Sequence, residues 1–331
     1  MSTFAAVVLF AGVIAYAVLG GADYGAGFWD LTAGGARRGG APRHLIDQTL
    51  APVWEANHVW LIFCLVMLWT AFPAAFAAIM TTLYVPLGLA ALGIVVRGSG
   101  FAFRKVVVHT NQQRTTGAAF AVSSVITPFF LGTVAGGIAS GRVPAAGHGD
   151  AVTSWVNPTS MLGGVLAVAV SAFVAAVFLT AEARRRAQPD LEGWFRRRAQ
   201  VCAVVTGVVA AAGVGILHSD APRLFHGLLT RGLPLLLLSA ACGLACLVTL
   251  HRAPPRLLQI LAVSAAASVV LGWGVAQYPY LLGTHLSIAE AAAPDATLWA
   301  LTIVAAAAVL LVVPAVALLF VLHQRGDLDS V

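Results

Sequence analysis

An all-α polytopic membrane protein of about nine transmembrane helices is the fold class this sequence predicts. Three observations predict it. Apolar residues fill 60% of the 331 positions and charged residues only 10%, against about a quarter charged in soluble domains. The mean hydropathy is +0.89. The apolar residues also fall into runs of bilayer length, roughly 20 residues each, and the short polar stretches between them leave no room for a sizeable soluble domain.

The first run, residues 4–23, lacks a basic leader and an A-x-A cleavage site, so it is expected to be retained. The second, 52–71, opens on Pro52, which suits a first helical turn. Runs 74–96 and 118–138 complete a first group of four. A stretch rich in Gly, Pro and Ala over 140–157 separates this group from runs 161–182, 201–217, 233–250 and 257–277; 298–322 is the ninth. The expected organisation is a first four-helix half over 1–139, an extracytoplasmic loop over 140–157, and a second four-helix half over 158–277. An outer loop and a peripheral ninth helix fill 278–331. Residues 287–293 are expected to form a short interfacial helix ahead of Pro294. Small residues pervade the spans, as close helix packing in lipid requires.

The isoelectric point near 9.6 is explained by topology rather than by nucleic-acid binding. Sixteen of the 19 basic residues fall on one side of the expected membrane. They are Arg37, Arg38 and Arg43, then Arg97, Arg104, Lys105 and Arg114, then Arg184–Arg186 and Arg196–Arg198, then Arg252, Arg256 and Arg325. Only Arg142, Arg223 and Arg231 occupy the alternate loops. The positive-inside rule then puts the N-terminus outside and the C-terminus in the cytoplasm. Lipid headgroups are the partners this charge implies.

The four cysteines, Cys64, Cys202, Cys242 and Cys246, all lie inside spans and form no C-x-x-C pair. Neither a zinc site nor a disulfide framework is indicated, and they read as small apolar residues.

Chemistry concentrates in Ala51-Pro-Val-Trp-Glu-Ala-Asn-His-Val-Trp-Leu61. Glu55 and His58 are three apart, so they share a helix face, and an ionisable residue entering a bilayer-length helix is a functional candidate. Among Trp54, His58 and Trp60, a desolvated Glu55 would exchange protons near neutrality; the structural alternative is a carboxylate complementing the helix dipole. Asp23, in Gly20-Gly-Ala-Asp-Tyr-Gly-Ala-Gly27, lies about 28 Å from Phe4 along a helix, near the cytoplasmic side. It either takes part in proton or ion transfer or hydrogen-bonds a backbone at a glycine kink. Gly21 and Gly25 form a small-xxx-small pair that admits a neighbouring helix. Arg97 and Arg104 read equally as membrane anchors or as functional groups.

The Glu-x-x-His spacing also occurs in di-iron bundles, but those need a second such motif and two further glutamates. The remaining glutamates are only Glu182, Glu192 and Glu290. The other histidines lie mostly in loops or at span ends, so His58 is read as a hydrogen-bonded imidazole beside Glu55. No metal and no heme are assigned to this chain.

Taken together, Gly21-Ala-Asp-Tyr-Gly-Ala-Gly27, the 51–61 block, Arg97-Gly-Ser-Gly-Phe-Ala-Phe-Arg104 and Tyr278-Pro-Tyr280 leading to Ala292-Ala-Pro-Asp-Ala-Thr-Leu298 resemble subunit II of the cytochrome bd quinol oxidases. They occur in family order over nearly the whole chain, and the Trp-Glu-x-Asn-x-Val-Trp block is the most specific. The resemblance implies an inner-membrane heterodimer that reduces O2 to water with electrons from quinol. It places heme b and heme d in the larger subunit I and gives this chain two four-helix bundles plus a ninth helix. It also implies a cytoplasmic proton path through Glu55 and Asp23, with His58 beside them. Ala102 stands where many relatives carry an acid. A structural quinone and a small single-helix accessory subunit accompany some relatives, and nothing in the residues places either here. The rival class is a secondary transporter or ion channel, which predicts broken helices at the midplane and motifs repeated in two halves; the acids here cluster in the first half instead.

Overall fold

The computed structural model describes the backbone of residues 1–50, 54–106 and 110–325, without the side chains of 36–38, 50, 54–56, 101, 103–106, 110–115, 309, 312–313, 316–317 and 319–325. The described residues are overwhelmingly helical: α1 Ser2–Ala15, α2 Gly21–Thr32, α3 Ala36–Leu50, α4 Trp54–Ala71, α5 Pro73–Thr82, α6 Tyr84–Val106, α7 Thr110–Ala139, α8 Pro158–Arg185, α9 Pro189–Asp220, α10 Pro222–Thr230, α11 Leu233–Thr249, α12 Pro255–Gln277, α13 Ile288–Ala291 and α14 Asp295–Arg325. A two-stranded antiparallel hairpin, β1 Tyr280–Leu282 and β2 Leu286–Ser287, precedes α13.

Five helical segments among the described residues are long and apolar enough to cross a bilayer: Ser2–Thr32, Thr116–Ala139, Pro158–Arg185, Pro189–Asp220 and Pro255–Gln277. Two bent pairs raise the number to seven if each is one span. These are Asn57–Ala71 with Pro73–Thr82, bent by 118°, and Pro222–Thr230 with Leu233–Thr249, bent by 76°. Shorter apolar helices cover Tyr84–Gly100 and Asp295–Ala308.

Three features differ from the sequence expectation, each for a local reason. The run 74–96 is two helices, not one. Pro73 disfavours helical backbone at Phe72, which leaves the helical region at φ −136, ψ 60. Pro86 cannot follow a helix through Thr82, because its ring would meet that carbonyl four residues back. The first segment runs on to Thr32 through a π-helical turn at Tyr16–Gly20, so Asp23 lies well inside the segment rather than at its end. Residues 36–50, expected as a loop, form α3. Arg43 Nε donates to Asp30 Oδ1 at 2.6 Å and its Nη2 to the Gly34 carbonyl at 2.7 Å, which fastens α3 under α2.

Helix α8 is the hub. It packs against α2, α7, α9 and α12, and its stretch from Ser171 to Ala183 is almost wholly buried. Small residues make this possible. A Cβ added at Gly25 of α2 would fall inside the Ser171 carbonyl of α8, and one at Gly132 of α7 inside the Gly163 carbonyl. Trp29 Nε1 donates to the Ala172 carbonyl at 2.9 Å, adding a directed bond across the α2–α8 contact. A second core gathers Leu9, Met67, Phe72, Leu83, Val143, Leu282 and Leu298 around α1, α4 and the β1–β2 hairpin. The expected short helix at 287–293 is α13. Ser287 caps it: its amide and hydroxyl donate to Glu290 Oε2 at 2.9 and 2.7 Å, and these bonds hold the Glu290 carboxyl below the usual range.

Candidate functional site

Three helices converge on one buried ion pair. Asp23 of α2 is 1% exposed and Arg97 of α6 is 1% exposed. Arg97 Nη2 donates to Asp23 Oδ1 at 2.7 Å and to the Asp23 carbonyl at 3.1 Å. Its Nη1 donates to Ser124 Oγ of α7, and that hydroxyl donates to the Phe120 carbonyl at 2.6 Å. The guanidinium lies over the rings of Phe120 and Tyr24, at 4.4 and 4.9 Å from their centroids. Gly27 leaves the room: a Cβ there would lie 2.9 Å from Arg97 Nη1. Among the described residues, Asp23 Oδ2 and Arg97 Nε have no hydrogen-bond partner.

Arg97 is therefore no interfacial anchor. The sequence reading ended its span at Val96, whereas α6 continues to Val106 and carries Arg97 inward. The signal was an arginine between Val96 and Gly98 in a chain whose first segment holds two acids, Asp23 and Asp30. Nothing in the spacing of two positions 74 apart selects the pair.

The 51–61 block meets this cluster from α4. Residues 51–53 and the side chain of Glu55 lie outside the described residues; the helix that carries Glu55 begins at Trp54. Asn57, 6% exposed, donates from Nδ2 to the Leu19 carbonyl in the π-turn at 3.2 Å. His58 is half-buried and sets its ring edge-on to Tyr24, with centroids 6.4 Å apart and planes at 71°. The Tyr24 and Tyr16 hydroxyls meet at 3.0 Å. Arg97 and His58 are thus both brought against Tyr24. The sequence assigns no role to Tyr16, Tyr24 or Ser124, whose types are common in spans, and offers Asn57 only as part of the tryptophan block. Ala102 is exposed.

Among the described residues no three His, Cys, Asp or Glu side chains gather closely enough to hold a metal ion. The four cysteines are free thiols.

The sequence profile of the family described as cytochrome bd terminal oxidase subunit II matches residues 1–323. The chain is 28% identical over 216 residues to cytochrome bd-I ubiquinol oxidase subunit 2 of Escherichia coli strain K12, covering 62% of this chain and 54% of that protein. It is 28% identical over 183 residues to cytochrome bd ubiquinol oxidase subunit 2 of Bacillus subtilis strain 168, covering 54% and 53%. The matched regions thus span about half the length of these relatives. In fold, it resembles the bd oxidase structure from Geobacillus thermodenitrificans, with a TM-score of 0.77 and 24% identity over 97% of this chain and 98% of that one. A profile match running almost from end to end, on a mainly helical fold similar to that of a solved bd oxidase, places this chain in the cytochrome bd terminal oxidase subunit II family.

Proposed function

We propose that this chain is subunit II of a bacterial inner-membrane oxidase that takes electrons from quinol and reduces O2 to water. It stabilises a larger partner subunit that holds the hemes, and it supplies part of the cytoplasmic proton route to the oxygen site. The observation that carries this reading is the family match over residues 1–323. Both positions where relatives carry acids in the glycine and tryptophan blocks keep a carboxylate here, Asp23 and Glu55. The two expected halves, 1–139 and 158–277, would form paired four-helix bundles, with α14 as the ninth helix.

Reduction of O2 to water consumes protons, and drawing them from the cytoplasm charges the membrane. Glu55 and His58, one turn apart at the start of α4, form the entrance. Asp23 lies deeper, one carboxylate oxygen fixed by Arg97 and the other unpartnered among the described residues. That oxygen is where a proton or a water would be received. Electrons and heme ligands belong to the partner subunit; this chain moves protons and holds the frame.

Glu55→Gln tests the reading in the complex co-expressed with its partner subunit. Gln keeps size and hydrogen bonding but removes the ionisable group, so heme content should persist. O2 uptake per heme should fall, up to the roughly 10²–10⁴-fold typical of acid–base relays. Glu55→Asp should retain more activity and Glu55→Ala least. Unchanged uptake from about pH 6 to about pH 9 would return Glu55 to a structural role.

A further inference from the structure

We propose that Asn57 is a positioning residue for the proton inlet, acting through its bond to the π-turn; the proposal rests on the inlet reading above. The π-turn comes first in the argument. Gly21 N donates to the Tyr16 carbonyl five residues back, so one extra residue is absorbed between Tyr16 and Tyr24. Eight regular helical steps would leave these two tyrosines about 80° apart around the axis, and seven effective steps leave them about 20° apart. The inserted residue is what puts both on one face, where their hydroxyls meet at 3.0 Å.

A π-turn interrupts the regular backbone ladder, a place where outside donors insert. Asn57 supplies one to the Leu19 carbonyl at 3.2 Å, from a side chain 6% exposed. The next residue, His58, sets its ring against Tyr24. Helix α4 is thereby pinned to the first segment at two consecutive positions, at the end of the π-turn and at the ring beside Asp23. Pinning that turn of α4 also fixes the backbone that carries Glu55, two residues earlier. The bond needs an amide N–H at the reach of Asn, which accounts for a buried asparagine at this position.

The test uses the co-expressed complex and a double-mutant cycle. Asn57→Leu keeps the branched side-chain skeleton and removes the donor. Heme content should be kept, and O2 uptake per heme should fall by roughly 10- to 100-fold, the scale of a misplaced reacting group. The loss should grow as pH rises and proton supply falls. Asn57→Gln, which keeps a donor, should recover part of the rate. In a Glu55→Gln background Asn57→Leu should add less than about a 2-fold further loss, because groups acting as one unit are non-additive. A full additional loss in that background overturns the proposal, as does a normal rate in Asn57→Leu alongside a slow Glu55→Gln. A normal rate in Glu55→Gln itself overturns the inlet reading instead. Should Asn57→Leu not assemble, Asn57→Ala takes its place with the same outcomes.

Discussion

Arg97 shows what a single residue contributes here. Bringing two charges out of water is costly, and their attraction offsets that cost only with close geometry and further hydrogen bonds. Arg97 has both: the Asp23 carboxylate at 2.7 Å, a serine hydroxyl, a backbone carbonyl and two ring faces. Removing one partner leaves a buried charge alone. Arg97→Leu or Asp23→Asn should each destabilise by about 3–5 kcal/mol and reduce the yield of heme-containing complex. The double variant should recover much of that yield, since a buried pair replaced by neutral groups is often tolerated. Equal yields for wild type and Arg97→Leu would show that the pair contributes no stability. Both residues were visible in the sequence. Their meeting was not, because helix packing decides which side chain 74 positions away is met.

At the scale of elements, close approach is set by glycine. The small-xxx-small pair Gly21 and Gly25 was legible, and α8 is the helix that uses it, with Ser171 against both. Gly25→Ala forces backbone apart and should cost about 1–3 kcal/mol, the range for overpacking. Gly207 of α9 has nothing within 4 Å of an added Cβ, so Gly207→Ala should be neutral or stabilising by up to about 1 kcal/mol from helix propensity. Thermal midpoints of the two purified variants make the comparison; a midpoint for Gly25→Ala equal to that of Gly207→Ala would contradict the close contact. Hydropathy located the apolar elements but blurred their ends. It joined α5 to α6 across Leu83 and missed α3, whose polar composition carries no bilayer signal even though Leu45 and Ile46 are 1% exposed.

For the whole molecule, orientation follows from loop charge. Withdrawing the buried Arg97 from the count still leaves fifteen basic residues on one side against Arg142, Arg223 and Arg231 on the other. Of these three, Arg142 is bound to Asp220 at 2.6 Å. An outside N-terminus and a cytoplasmic C-terminus are expected. A phosphatase active only in the periplasm should work when inserted within 145–149 and fail when fused after Val331. The reverse pattern would put the Glu55 end of α4 outside and remove the cytoplasmic inlet.

The sequence by itself determined the membrane class, the approximate places of the apolar segments and the family blocks, because bilayer length and composition act locally along the chain. It also singled out Asp23, Glu55 and His58, since an ionisable group in an apolar run stands out without any knowledge of its neighbours. Only the tertiary structure decided that Arg97 belongs inside, that Arg97 and His58 both meet Tyr24, and that Asn57 reaches a π-turn 38 positions away. Those facts depend on where prolines bend the path, on one inserted residue that rotates a helix face, and on which glycines let two backbones touch. Each is a property of packing between distant segments, which periodicity and charge along one segment do not encode.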